Sequence, residues 1–286
     1  MLQTTAPDLY VIHQGQSGGS GMSPRIWDRM KGSALAPDGF RQGKSFADDF
    51  LCFPKISPGT GGTTTGNALG YGYYVDSATA AGTIQQLATN NDGVVAISTA
   101  AQDNHENWLT SGGNTGTLAM ISDTSGSDKT LLFEARFSVG QIATHGVFIG
   151  LGQEGLAAAN TIADGSTLAD KDLIGFWLLE GDPTTLVFGY RKEGGSVVTV
   201  IASLATIAAD TWYKVGFAYE PTAPAAKRIS VYLDNVENAT HVTATNIATA
   251  TFPDGEELAL LAGVKTHTGS AAGKLNLDWW AFWQAR

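Results

Sequence analysis

The chain has 286 residues and a formal net charge of −10, and 15% of its residues are charged while 43% are hydrophobic. It contains 35 glycines and one cysteine. A single cysteine excludes a disulfide-stapled scaffold and a metal site built from several cysteines. Abundant glycine with little charge favours tight turns over long, charge-rich helices. The composition therefore predicts a folded, all-β protein.

The charge is unevenly distributed along the chain. Lysine and arginine are absent from Ile56 to Asp128, whereas the basic leader before residue 47 carries five cations and three acids. An acidic body repels phosphate, so we expect no nucleic-acid partner. The apolar run from Val197 to Ala209 is too short to cross a bilayer, and the first residues lack the pattern of a signal peptide, so we expect no membrane partner.

Residues 1–92 are predicted to form an extended, loop-rich N-terminal arm and linker, because glycine clusters separate scattered apolar residues there. One short helix is expected over residues 23–32, with serine at its N-cap, proline at its first position and glycine after its end. Two helical turns are unstable alone in water, so this helix must pack on another surface. Its candidate buried face is Ile26, Trp27 and Met30.

From residue 93 onward the apolar residues recur at every second position, which is the period of a β-strand. The predicted strands cover residues 93–99, 131–139, 145–151, 173–180, 185–191, 197–204, 212–219, 228–234, 257–264 and 274–283. Asp234 and Asn235 tolerate positive φ and predict a two-residue hairpin between Leu233 and Val236. Ten short strands separated by turn signals predict a two-sheet antiparallel sandwich over residues 93–286.

Three segments of this region carry a family resemblance. They are Asp210 to Tyr219 (DTWYKVGFAY), Arg228 to Glu237 (RISVYLDNVE) and Leu277 to Trp283 (LDWWAFW). They resemble the paired core strands and the closing strand of laminin G-like and concanavalin A-like jelly rolls, although Asn235 occupies a turn position where that family usually has glycine. The resemblance covers residues 93–286 and implies a jelly-roll fold, which does not by itself imply a function.

Two segments of the arm, Ser23 to Asp28 (SPRIWD) and Ser45 to Leu51 (SFADDFL), carry a second resemblance. Together with the sandwich, they are similar to structural proteins of tailed-bacteriophage virions. The resemblance implies a capsid decoration or cement protein, made in the host cytoplasm and located in the virion. The partners it implies are the major capsid protein or another virion protein, and further copies of this chain in a homotrimer.

For such a protein we expect no enzymatic activity. The arm would gain affinity by ordering on its partner, with apolar anchors and with arginines that pair with an acidic surface. The predicted partner-binding residues are Arg25, Ile26, Trp27, Arg29, Met30, Phe40, Arg41 and Phe46.

Two glycine motifs match enzyme patterns. Gly150 to Gly155 (GLGQEG) fits the dinucleotide-binding fingerprint, but the segment after it is too short for the helix that must hold the pyrophosphate. Gly15 to Gly19 (GQSGG) fits a nucleophile elbow, but the chain has no Asp-x-x-His pair to supply the esterase base. We therefore predict no cofactor and no esterase site.

Glycoside hydrolysis with retention needs two carboxyl groups about 5–5.5 Å apart on one face. The candidate pairs, Asp170 with Asp172 and Glu180 with Asp182, lie at predicted strand ends and are interpreted as solvated loop acids.

Metal ligands show no clear spacing. The five histidines are scattered along the chain, which argues against a zinc site. A structural calcium is left open but not predicted. Its ligands would be Asp164, Asp170 and Asp172, or Asp103 and Asn104.

The last predicted strand contains Trp279, Trp280 and Trp283. Strict alternation places Leu275, Leu277, Trp279 and Trp283 on one face and Trp280 on the other. These tryptophans either pack in the core and against a neighbouring element or form an exposed platform for sugars. The second interpretation makes a carbohydrate-binding, lectin-like appendage for host attachment the alternative function, and a glycan-active enzyme is the third.

Overall fold

The structure is a computed structural model. It describes residues 21–27, 29, 43–50, 64–68, 71–77, 82–87, 93–111, 119–121, 128–143, 145–153, 161–163, 167–267 and 271–285.

Strands are the main secondary structure of the described residues, which also include two one-turn helices. The elements in chain order are α1 (Pro24–Trp27), β1 (Gly43–Asp48), β2 (Thr64–Ala68), β3 (Tyr71–Ser77), β4 (Thr83–Gln86), β5 (Val95–Ser98), β6 (Glu106–Ser111), β7 (Ala119–Met120), β8 (Leu131–Val139), β9 (His145–Gln153), β10 (Ile162–Ala163), β11 (Thr167–Leu168), β12 (Leu173–Leu179), β13 (Asp182–Arg191), β14 (Val198–Thr206), β15 (Trp212–Tyr219), β16 (Ile229–Leu233), β17 (Val236–Glu237), α2 (Ala244–Ile247), β18 (Glu257–Thr266) and β19 (Lys274–Ala285). Each of the ten predicted strands coincides with an observed strand to within three residues at its ends.

These strands form two large sheets in which every described pair is antiparallel. The eight-stranded sheet has the order β17-β16-β15-β8-β19-β5-β4, and β1 also pairs with β19. The nine-stranded sheet has the order β14-β13-β12-β9-β18-β6-β3-β2, and β7 also pairs with β18. A separate two-stranded hairpin is formed by β10 and β11. The all-β, two-sheet antiparallel jelly-roll sandwich predicted from the sequence is confirmed.

The alternation of apolar residues along the strands explains why two sheets pack face to face. Leu131, Phe133, Ala135, Phe137 and Val139 of β8 all lie in the main core, as predicted. On the opposing sheet, Val147, Ile149 and Leu151 of β9 lie in the same core. The predicted hairpin is also present, because Leu233 pairs with Val236 while Asp234 and Asn235 have φ angles of 47° and 69°.

The predicted faces of β19 are wrong beyond Leu277. The register of β19 against β8 shifts between Leu277 and Trp279, which is the signature of a β-bulge. One extra residue reverses the side-chain parity, so Trp280 and Phe282 join Leu275 and Leu277 in the core. Trp283 lies on the outer face of the sheet instead.

The sandwich includes strands that precede the predicted domain boundary between residues 92 and 93. β4 pairs with β5 across that boundary, with Thr83 opposite Ser98. β1 pairs with β19, and β3 pairs with β6. Much of the predicted arm that the structure describes therefore belongs to the two sheets.

Candidate functional site: the arm-docking face

The outer face of the eight-stranded sheet holds the short helix of the arm. Ile26 of α1 is fully buried in a small cluster with Leu132, Ala218 and Tyr232. Four residues of helix have no stability of their own, so α1 depends on this contact. We call this surface the arm-docking face and define it by Leu132, Glu134, Lys214, Gly216, Ala218, Glu220 and Tyr232.

A buried glutamate lies at the centre of the arm-docking face. Glu134 of β8 is 1% exposed. Its Oε2 atom accepts a hydrogen bond from the backbone N–H of Ser23 at 3.0 Å and another from the Trp27 indole N–H at 2.6 Å. The Ser23 hydroxyl donates to Oε1. The predicted N-cap serine therefore uses its side chain on the sheet, and Glu134 provides the main polar contact of the arm.

A glycine on the neighbouring strand makes room for the arm. Gly216 of β15 lies opposite Glu134 in the register of β8 and β15. A Cβ atom at residue 216 would lie 2.6 Å from Ile26 Cδ1. The absence of a side chain at Gly216 therefore lets Ile26 reach the backbone of the sheet.

Two cations fix the two ends of the arm segment. Lys214 Nζ donates to the carbonyl oxygen of Gly21 at 2.5 Å. Arg29 Nε donates to Glu220 Oε2 at 2.7 Å, and its guanidinium carbon lies 5.3 Å from the centre of the Tyr232 ring. The segment is thus held by the sandwich before α1 and after it.

Burial acts on both charged groups beneath the arm. Burial raises the pKa of the Glu134 carboxyl, against the opposing effects of the hydrogen bonds from Ser23 and the charge of Lys214. Burial also lowers the pKa of Lys214, against the charges of Glu134 and Asp234. Because burial disfavours both charged forms, the contacts supplied by the arm partly offset a desolvation penalty.

The structure brings three of the predicted partner-binding residues together on this face. Ile26 and Trp27 contact the sandwich of their own chain, and Arg29 pairs with Glu220. Arg25 is exposed, and Phe46 lies apart from these residues, in β1, where it packs against the main core. Met30, Phe40 and Arg41 lie outside the described residues. Binding of these residues to another protein stays a prediction.

The outer face of the nine-stranded sheet carries an aromatic layer, defined here as Trp108, Phe148 and Trp177. Each ring lies over a glycine of the next strand. A Cβ atom on Gly189 would be 2.7 Å from Trp177 Cη2, and one on Gly175 would be 3.1 Å from Phe148 Cζ. Trp108 covers Gly263 in the same way.

The β10–β11 hairpin covers the aromatic layer. Ile162 and Leu168 of this hairpin pack into the same apolar cluster, and both are fully buried. Lys265 Nζ donates to the Ile162 carbonyl at 3.0 Å, and Arg191 donates to the Leu168 carbonyl at 2.5 Å. The layer is therefore a closed, packed face.

A polar group adjoins the aromatic layer at one end of the sheet. Glu106 and Lys265 are cross-strand neighbours, and both are buried. His267 Nδ1 lies 3.5 Å from Glu180 Oε2. This group is not evident from the sequence, because Glu106 lies on β6, which was not predicted as a strand. The sequence signal for it is Glu106, an acid two positions before Trp108, so that both residues lie on the same face of β6.

The acids of the two predicted pairs make contacts with other residues. Asp170 accepts from the Gly194 N–H at 2.9 Å and pairs with Arg191 at 3.0 Å. Asp182 accepts from the Thr184 hydroxyl at 3.3 Å. Asp172 is buried, and burial raises the pKa of its carboxyl. Glu180 faces His267, as described above.

The structure also locates most of the candidate metal ligands. His105, His145 and His267 meet at one end of the nine-stranded sheet, where Thr266 pairs with His145 and donates its N–H to the His105 carbonyl. Within the described ranges, no group of three or more His, Cys, Asp or Glu residues is arranged to hold a metal ion. Asp164, one of the calcium candidates, lies outside them.

The structure shows where one of the two glycine motifs and the C-terminal tryptophans lie. Gly150 and Gly152 lie within β9, between two antiparallel neighbours, and not at the start of a helix. Gly15 to Gly19 lie outside the described residues. The C-terminal tryptophans are buried, with Trp283 the most exposed of the three at 8%. In the part of the chain that is described, no helix is long and apolar enough to span a membrane.

Comparison with known proteins gives similarity in structure only. No family model matches the sequence, and no curated protein matches it. A Bacillus licheniformis β-glucanase is 14% identical with a TM-score of 0.48, over 84% of this chain and 98% of that one. The carbohydrate recognition domain of Emp47p is 11% identical with a TM-score of 0.48, over 85% and 98%. Peanut lectin is 13% identical with a TM-score of 0.48, also over 85% and 98%. The jelly-roll assignment of this chain rests on its own strand order and pairing.

Proposed function

We propose that this protein is a non-catalytic structural protein of a bacteriophage virion, a decoration protein of the capsid that is held on the shell through its N-terminal arm. Its partner would be the major capsid protein or another virion protein. The proposal combines the sequence resemblance of the arm and sandwich with the geometry of the arm-docking face.

The observation that carries the proposal is the anchoring of the arm. Glu134, Lys214 and Glu220 each bind a different residue of the segment 21–29. The arm therefore leaves the sandwich from a fixed place, and exposed Arg25 has a defined position beside it. A fixed cation on every copy suits docking to a repeating surface, where modest contacts add through avidity.

The acids support a role without catalysis. Retaining glycoside hydrolysis requires two carboxyl groups that converge on one bond. Asp170 forms an ion pair with Arg191 and accepts a hydrogen bond from the Gly194 N–H, and Glu180 lies beside His267. These contacts are those of structural acids at turns.

Charge reversal at Arg25 tests the proposal better than removal of the arm. A deletion of residues 1–45 would also remove the packing of Ile26 and the first residues of β1. We expect Arg25→Glu to lower the number of copies of this protein per purified particle while leaving its fold unchanged by circular dichroism. The matched control is Lys171→Glu, which makes the same charge change at an exposed ion pair with Glu193. Equal incorporation of both variants would contradict docking through the arm.

Carbohydrate binding is a second candidate. The observation that favours it is the aromatic layer next to Glu106, Lys265 and His267, because sugars bind where aromatic rings adjoin hydrogen-bonding groups. A sugar could reach the layer only after the β10–β11 hairpin moves. Isothermal titration against a glycan panel tests this, and specific binding that Trp177→Leu abolishes would support it over the virion role.

A further inference from the structure

The β10–β11 hairpin is a short element that lies on the nine-stranded sheet. Each of its strands has two residues, and Ile162 pairs with Leu168. The N–H of Ala169 donates to the Thr161 carbonyl at 2.9 Å and closes the hairpin. A two-stranded hairpin is at best marginally stable alone in water. Its place over the aromatic layer therefore depends on its contacts with the sheet beneath it.

One of these contacts places a hairpin residue beside a buried histidine. His267, the residue that follows β18, is 1% exposed. A Cβ atom on Gly146 would lie 2.7 Å from Ile162 Cδ1 and 3.2 Å from His267 Nε2. The imidazole and the Ile162 side chain therefore share the space above one glycine. A change in the position of the ring would act directly on the hairpin.

Two acids and one lysine accompany His267 in the polar group at this end of the sheet. His267 Nδ1 lies 3.5 Å from the Oε2 atom of Glu180, which is in the turn between β12 and β13. Lys265 lies two residues before His267, on the same side of the sheet, and its cross-strand neighbour on β6 is Glu106. With a neutral imidazole, the polar group has two carboxylates and one ammonium.

The other strands packed around His267 leave this balance unchanged. On the outer face of the sheet, the described residues of β9 and β10 contribute glycines and apolar side chains. His105 and His145 are each displaced by one residue from a position on this face, so they lie on the inner side of the sheet. Protonation of His267 therefore gives the polar group two positive and two negative charges.

We propose that protonation of His267 fastens the β10–β11 hairpin over the aromatic layer, and that loss of this proton lets the hairpin lift. An imidazolium pairs with the Glu180 carboxylate, which fixes the ring against Ile162. Burial disfavours the charged ring, but the excess of one carboxylate in the polar group favours it. Because histidine changes charge near neutral pH, the hairpin is a pH-dependent cover. It lies on the sheet opposite the arm-docking face, so it does not depend on the proposed function.

Amide hydrogen exchange of the full chain, followed residue by residue by NMR, tests the proposal. The Ala169 N–H reports the closed hairpin, because a hairpin that leaves the sheet loses its own pairing as well. Its protection is corrected for the intrinsic effect of pH on exchange and compared with the amides of β15 in the same sample. Relative to them, it should fall about fivefold between about pH 5 and pH 8.

Two variants separate the charge of His267 from its packing. His267→Gln cannot titrate and should abolish the fall in protection, and Glu180→Gln keeps the ring and should make the fall smaller. The matched control is His241→Gln, which removes an imidazole that lies 3.9 Å from Glu237 and should keep the full fall. Protection of Ala169 that does not fall with pH in the parent, or a fall that persists in His267→Gln, would overturn the proposal.

Discussion

The indole N–H of Trp27 donates to Glu134 Oε2 at 2.6 Å, so a residue of the arm and a residue of the sandwich meet at one buried carboxylate. Together with the backbone N–H of Ser23, this contact makes the segment 21–29 part of the folded body. The arm-docking face therefore couples the position of the arm to the stability of the sandwich.

Removing the carboxylate should destabilise the whole protein. Glu134→Ala leaves the donors of Ser23 and Trp27 without their buried acceptor, and Lys214 without a nearby negative charge. We expect the free energy of unfolding to fall by about 2–3 kcal/mol in urea denaturation. Glu193→Ala is the control, because that acid is exposed and its ion pair with Lys171 should contribute less than about 1 kcal/mol. If both variants lose the same free energy of unfolding, Glu134 does not contribute to stability as described.

The same carboxylate should give stability a defined pH dependence. Its pKa is raised in the folded protein because it is buried, so the folded state holds the proton more tightly than the unfolded state. This contribution is fully present below the pKa of an unfolded glutamate and is lost as pH rises through the higher folded pKa. Glu134→Gln cannot titrate, so its stability relative to the parent should increase as pH rises through that window. Parallel stability curves for the two proteins would refute this.

The apolar part of the arm contact can be tested separately. Ile26→Ala should cost about 2–4 kcal/mol, because it leaves a cavity above Gly216 beside Leu132 and Ala218. Arg25→Ala, on the same helix but exposed, should change the free energy of unfolding by less than about 0.5 kcal/mol. Thermal denaturation of both variants gives the comparison. A small loss at Ile26 would mean that the arm is not packed as described.

Substitution of the glycines that pack under the aromatic layer should lower the stability of the protein. In Gly189→Ala, the new Cβ would overlap the Val198 carbonyl and lie 2.7 Å from Trp177. We expect a loss of at least about 2 kcal/mol, because neither the backbone nor the packed ring can move freely. Gly140→Ala is the control, since the atoms nearest to its Cβ would belong to the flexible side chain of Lys274. If Gly189→Ala is as stable as the control, the aromatic layer is not packed against the glycines.

The sequence predicts those parts of the fold that are governed by local periodicity. β8 and β15 were predicted with the observed bounds because apolar residues at every second position specify one sheet face. The Asp234–Asn235 hairpin was predicted because both residues tolerate positive φ. The bulge in β19 was not predicted, because an inserted residue reverses the parity without leaving any break in the composition.

The sites depend on contacts between residues far apart in the sequence, which periodicity does not reveal. Ile26 was predicted to be buried, and it is, but its partner surface became evident only when β8 and β15 were placed side by side. Glu134 alternates with apolar residues and so resembles a solvent-facing acid, although the arm covers it. The polar group near His267 was missed because its members come from two strands, β6 and β18, from the residue that follows β18 and from a turn.

The most direct test of the proposed function is the amount of this protein in particles purified from the cells that make it. Quantitative mass spectrometry gives the ratio of this chain to the major shell subunit. A decoration protein should be present at a copy number comparable to that of the shell subunit, and Arg25→Glu should lower the ratio while Lys171→Glu should not. Absence from particles, or a few copies per particle, would contradict the proposed role.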